Sequence, residues 1–305
     1  MPLRIILLSF AIFLVFPCWA AAFQGHVQQF NDGAVITWGD GNLSVIRNMA
    51  SPGEARVVNP LAVRKAVTSA RKQLLDMILA TRIDSKRTVS AYLSADRSLA
   101  ARVRGMVQNS PMELPDMYDA GGQVRVYERF RGKLAELVMP NTLPYQSGIP
   151  PKLSTSMEEQ FDYNESQIEV TNSGAIRYTG IIVDARNLKV TPCLAPTIYG
   201  QDGLGAYGVF MVSRGNAIQK GVVAYSTTSD PAQLRSRVGS NPLIVKALNA
   251  YGSWRTDLIV STPMAKLMRA IMSAPGIAGD SRVVIVLSDN EIASVETAEE
   301  HSQDQ

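Results

Sequence analysis

The sequence predicts an α+β chain: two small α+β units, the second richer in antiparallel strands. Three observations carry this. The first half reads in the order strand, strand, helix, helix, strand. A stretch dense in proline, Pro140, Pro144, Pro150 and Pro151 among Asn, Ser and Gly, separates the halves. Beyond it, short apolar runs with turn signals outnumber helical patterns. The organisation expected is 23–139 for the first unit, 140–156 for the linker and 157–288 for the second unit.

Each element has a local reason. Residues 34–38 and 43–46 flank Gly39-Asp40-Gly41-Asn42, a strong turn signal, and form a hairpin. Asn59 suits an N-cap and Pro60 a first-turn position. Val63, Val67, Ala70, Leu74, Met77 and Ile78 then recur at helical spacing. A second helix is expected over 88–107, with Tyr92, Leu99, Val103 and Met106 on one face. Residues 123–130 alternate as a strand, with Val124 and Val126 on the inner side. In the second half, strands are expected over 178–185, 196–199, 207–212, 222–225, 243–250 and 258–260. Asp202-Gly203 marks a hairpin turn. Thr262-Pro263 opens a helix to about Ser273, with Met264, Leu267, Met268 and Ile271 on its buried face. Residues 282–287 form a closing strand buried on both sides. From 289 to 305 the chain is acidic and without apolar pattern, which predicts a poorly ordered tail.

Residues 1–22 read as a cleavable secretory signal. Arg4 supplies the positive charge, 5–16 are apolar except Ser9, and Ala20-Ala21-Ala22 offers the small residues a signal peptidase needs. The expected location is the periplasm, with peripheral association at the outer membrane compatible with the sequence. Pro17 precedes Cys18, where a bacterial lipidation signal carries a small residue. Cleavage after Ala22 leaves Cys193 as the one thiol, so no internal disulfide is expected.

Composition narrows the chemistry. The 305 residues carry 30 Lys+Arg against 27 Asp+Glu, a net charge of +3. That balance argues against a nucleic-acid footprint. Two histidines, His26 and His301, leave little material for His-based catalysis or zinc binding. No phosphate-binding glycine loop, metal-ligand spacing or nucleophile elbow is present, so no cofactor is expected. Ser69-Ala70-Arg71-Lys72 matches the Ser-x-x-Lys acylation motif, but its companion motifs are missing and it falls on an amphipathic helix. Arg125, Arg129, Arg131 and Lys133 surround Tyr127 and Phe130. They read either as a stripe for an anionic partner or as a half-exposed strand face. Asp184, at a strand end beside Arg186, is the best single carboxylate candidate.

The most distinctive residues run from Tyr178-Thr179-Gly180 through an apolar strand to Asp184-Ala185-Arg186. Pro192, Pro196 and the turn Asp202-Gly203 follow. This pattern resembles exported proteobacterial envelope proteins related to flagellar assembly proteins P and T and to a family of small outer-membrane lipoproteins. The resemblance implies a non-enzymatic protein that acts by contact with envelope or flagellar proteins. It marks Thr179, Gly180, Asp184, Ala185, Arg186, Pro192, Pro196, Asp202 and Gly203 as the binding or structural motif. Read on their own, these residues suit a turn held by an Asp–Arg contact between extended segments. Two alternatives stand beside this reading. One is a periplasmic module binding a glycan or small ligand, which rests on location and which a closed aromatic-lined pocket around Trp38, Trp254 or Tyr207 would favour. The other is a hydrolase built on carboxylates or on Ser69 with Lys72.

Overall fold

A computed structural model describes residues 25–31, 33–49, 60–114, 122–153, 178–273 and 276–288. The signal segment, Asn59, residues 154–156 of the expected linker and the acidic tail lie outside the described residues.

The chain is α+β, with a strand-rich second half. In the first half, β1 (Val27–Asn31), β2 (Ala34–Thr37), β3 (Asn42–Asn48), β4 (Met112–Glu113) and β5 (Gln123–Arg129) form an antiparallel sheet in the order β1-β2-β3-β5-β4. The expected hairpin is the β2–β3 pair. The sequence pattern does not show β1, whose buried residue is the polar Gln28, or the two-residue β4, which is too short to alternate. Helix α1 (Pro60–Ala80) covers β3 and β5. It buries Ala66, Val67, Ala70, Leu74, Met77 and Ile78, while Ser69 and Lys72 face solvent.

The single helix expected over 88–107 is two helices, α2 (Val89–Ser94) and α3 (Arg97–Gln108). The break has a local cause. Thr88 accepts a hydrogen bond from the Ala91 N–H, and Asp96 accepts one from Leu99 N–H at 3.0 Å. Asp96 therefore starts a new helix instead of continuing the old one. Helix α4 (Lys133–Val138) then leads into the proline-rich stretch.

The second half holds β6 (Gly180–Asp184), β7 (Ile198–Gly200), β8 (Gly205–Tyr207), α5 (Arg214–Lys220), β9 (Ala224–Ser226), α6 (Arg235–Val238), β10 (Pro242–Lys246), β11 (Asn249–Tyr251), β12 (Asp257–Val260), α7 (Thr262–Met272) and β13 (Val283–Val286). Two details differ from expectation. The strand expected over 207–212 stops at Tyr207, and Val209–Met211 form a 3-10 turn. The run 243–250 divides into β10 and β11. Helices α5 and α6 are too short to show helical period, although Ser213 caps α5.

The pairing direction here follows burial. Strands β10-β6-β13-β9 form a four-stranded sheet in which every pair is parallel. Its central strands are apolar on both faces, as buried parallel strands are. Ile181, Val183, Val283 and Ile285 point into the main core, and Ile182, Val284 and Val286 meet Leu234 and Val238 on the other face. A second sheet, β11-β12-β7-β8, is mixed: β11–β12 and β7–β8 are antiparallel, β12–β7 parallel.

One buried cluster runs through both halves. Trp38 stacks on Phe130 (6.3 Å) and meets Tyr225 edge-on (5.6 Å), and Tyr225 O accepts from His26 N–H at 2.9 Å. The described part of the proline-rich stretch lies along the second half. Gln146 N–H donates to Val209 O, and Leu153 N–H donates to Gly203 O.

Candidate functional site

The motif starts from β6. Four of its five residues are buried, and the fifth, Asp184, reaches the carboxyl end of the parallel sheet, where open α/β sheets place their crevices. The chain leaves the sheet through a tight turn. Ala185 N–H donates to Val286 O, and Leu188 N–H closes back onto Ala185 O, both at 2.9 Å.

Asp184 holds this turn. One carboxylate oxygen accepts from Arg186 N–H (3.2 Å) and Nε (2.9 Å), and the other from Arg186 Nη2 (2.6 Å). Hydrogen bonding from Arg186 keeps the carboxyl below its ordinary range, against the opposing effect of partial burial. Asp184 is thus ionised, with both oxygens committed to one guanidinium. Such a pair clamps a turn; an acid catalyst needs the opposite shift.

A cleft of about 180 Å³ lies beside the clamp, lined by His26, Gln28, Arg186, Lys189, Pro192 and Leu287 among others. Gln28 Oε1 accepts from Trp38 Nε1 at 2.8 Å, which fixes that wall. Ser288 donates to Arg186 O, and Arg255 Nε donates to Lys189 O at 2.7 Å. Below Pro192, the Tyr225 hydroxyl accepts from Cys193 N–H and donates to Cys193 O, both at 3.1 Å. Burial, aided by Asp257, pushes the Cys193 thiol up, so it stays a protonated core group.

The nine motif residues fall in three places. Asp184, Ala185, Arg186 and Pro192 stand at the carboxyl end. Thr179 and Gly180 stand at the amino end of the same strand. Thr179 Oγ1 donates to Val238 O (2.8 Å) and accepts from Asn241 N–H (2.9 Å). A Cβ on Gly180 would lie 2.5 Å from Val238 O and 2.8 Å from Arg282 O, so only glycine fits. Pro196, Asp202 and Gly203 belong to the mixed sheet. Buried Pro196 enters β7, and Asp202 accepts from Leu204 N–H (3.1 Å) and pairs with Arg269 (2.7 Å). Gly203 takes a φ of 73° in the β7–β8 turn.

Other candidates are placed as follows. On β5, Arg125 pairs with Glu113 at 3.3 Å and lies over Tyr127, while Phe130 is core. Trp38 and Tyr207 are core side chains, Tyr207 donating to Val222 O, and Trp254 packs under Arg82. Asp96 and Glu136 share a depression with Arg102 and Arg214, Asp96 being already engaged as the cap of α3. Among the described residues, no group of three or more His, Cys, Asp and Glu is arranged to hold a metal ion, and no helix is long and apolar enough to cross a membrane.

Two features were missed. Asp257 is buried at the start of β12, accepts from Thr197 N–H at 2.9 Å, and has its pKa pushed up to about 6 by burial. The signal was an Asp directly before the apolar run Leu258-Ile259-Val260. The second is a group of cations at the amino end of the parallel sheet, Lys220, Arg235, Arg237 and Arg282, of which only Arg235 and Arg237 are neighbours in sequence.

Residues 180–289 match the family described as the second domain of Treponema pallidum Tp0624. No curated protein matches the chain. The matched stretch holds β6 to β13, both sheets of the second half and the Asp184–Arg186 clamp; to this extent, little more than a third of its length, the chain is similar to that spirochaetal domain.

Proposed function

We propose that this is an exported, non-enzymatic envelope protein that works by protein–protein contact, in the assembly or stabilisation of a flagellar or outer-membrane structure. The signal-like residues 1–22 support export. The resemblance of residues 178–208 to relatives of flagellar assembly proteins P and T supports the kind of structure served.

The observation that carries the contact reading is the outer strand of the parallel sheet. Among the described residues β10 pairs with β6 on one side only, and Ile244 on it is 53% exposed. Its register partner on β6 is the fully buried Ile182. The apolar face of Ile182, Val284, Leu234 and Val238 therefore runs out to the surface at Ile244. An edge strand also presents unpaired N–H and C=O groups to an incoming strand. Pro242 and Lys246 guard its two ends, which limits indiscriminate pairing.

The test is site-specific photocrosslinking in the native cell from position 244, with position 69 on α1 as control. A discrete adduct to an envelope or flagellar protein from 244 alone is expected. Equal adducts from both positions, or none from 244, would overturn the reading.

A further inference from the structure

We infer that the cavity at the amino end of the parallel sheet is a binding site for a phosphate group. This rests on charge and shape there and is independent of the contact reading above.

The cavity measures about 390 Å³ and is lined by Lys220, Arg235, Ser236, Arg237, Gly239, Asp280 and Arg282. Four cations thus face one carboxylate. Asp280 is shared between Lys220 (2.7 Å) and Arg282 (3.0 Å), so it neutralises one charge between the two. Arg237 is fixed by Nη1 donating to Lys220 O (2.7 Å) and Nη2 to Gly221 O (3.0 Å), and both acceptors are uncharged. Arg235 is exposed and meets no carboxylate among the described residues. A fifth cation stands behind this wall. The Arg131 guanidinium packs against Gly221 and donates to Phe130 O at 2.8 Å. Burial and the nearby Arg237 push Arg131 down to about 10.

Like charges gathered around a concave surface repel one another, and largely buried cations, here Arg237 and Arg131, are ordinarily paired. An anion resolves both costs. Guanidinium forks with an ammonium match a tetrahedral, multiply charged oxyanion better than a single carboxylate. The cavity has room for such a group with bridging waters. A lipid headgroup and a free phosphate compound offer the same chemistry.

The experiment titrates the purified mature chain with inorganic pyrophosphate, and separately with phosphatidylcholine vesicles with and without phosphatidylglycerol. The variants are Arg235→Gln and Lys220→Gln, with Arg235→Lys as the conservative change and Arg97→Gln, exposed on α3, as control. Arg235→Gln should weaken binding about tenfold, the loss of one charge-assisted contact, without lowering the melting temperature. Arg235→Lys should restore part of the loss, and Arg97→Gln should change nothing. Binding of pyrophosphate identifies a free phosphate compound as the source. Binding only of the phosphatidylglycerol vesicles identifies a headgroup. Absence of binding to either probe, or binding indifferent to Arg235 and Lys220, would overturn the inference.

Discussion

The two ends of the parallel sheet solve charge and space in opposite ways. At the carboxyl end, Asp184 and Arg186 neutralise each other two residues apart, in a turn open to solvent. At the amino end, backbone closes on Gly180 from two sides, and of four clustered cations two share the one carboxylate, Asp280. At the carboxyl end the Asp184–Arg186 pair neutralises itself. At the amino end the strand entry is sterically closed at Gly180, while the cavity beside it carries an excess of positive charge. The difference teaches that a motif read as one unit in sequence has two physical roles: Thr179 and Gly180 lock the strand entry, and Asp184 to Arg186 shape its exit.

The comparison breaks first at Gly180. Gly180→Ala forces a Cβ against two carbonyl oxygens that belong to backbone, which cannot turn aside. We expect a loss of about 3 kcal/mol in urea unfolding. A loss below about 1 kcal/mol would show that the entry is not closed.

Asp257 sharpens the contrast between buried and exposed carboxylates. Its folded pKa of about 6 lies above the unfolded value of about 4. Between these values the folded state holds the proton and the unfolded state does not. Its contribution therefore makes stability fall as pH rises from about 4 to about 6, and the deficit persists above. Asp184 has the opposite sign: its lowered pKa adds stability above the ordinary carboxylate range, lost as pH falls through it. Asp257→Asn keeps the acceptor for Thr197 N–H and removes the charge. It should raise stability at pH 8 by about 2 kcal/mol and flatten the fall between pH 4 and 6, measured by thermal unfolding across pH. An unchanged profile would contradict the burial argument.

Smaller effects belong to the carboxyl end. Asp184→Ala removes a half-exposed pair and should cost about 1 kcal/mol or less, diminishing in high salt. Ile244→Asp should change stability by no more than about 0.5 kcal/mol, because the side chain already meets water, while abolishing the proposed contact. Chemical unfolding of both variants beside Gly180→Ala gives the ranking directly.

Much of this is legible in the sequence. Period-3.6 spacing placed α1 and its buried face, because a helix of 21 residues repeats its pattern several times. The Gly39-Asp40-Gly41-Asn42 and Asp202-Gly203 turns read correctly, because turn chemistry is local. The Asp184–Arg186 contact was legible for the same reason: its partners are two residues apart. What escaped is what long-range packing decides. Thr88 and Asp96 each cap a helix, yet the apolar face across them suggests one. The parallel direction of β10-β6-β13-β9 joins segments up to a hundred residues apart, and no local signal carries direction. The cation cluster is assembled from α5, α6 and the approach to β13, so charge runs could not reveal it.

The most direct test of the account is the crosslink from position 244 in the native envelope. One discrete adduct to an envelope or flagellar protein is predicted, lost when an excess of unaltered chain competes, kept when the competing chain carries Ile244→Asp, and absent from position 69. A chain that runs as a free monomer in the periplasmic fraction, with no adduct from 244, would contradict it.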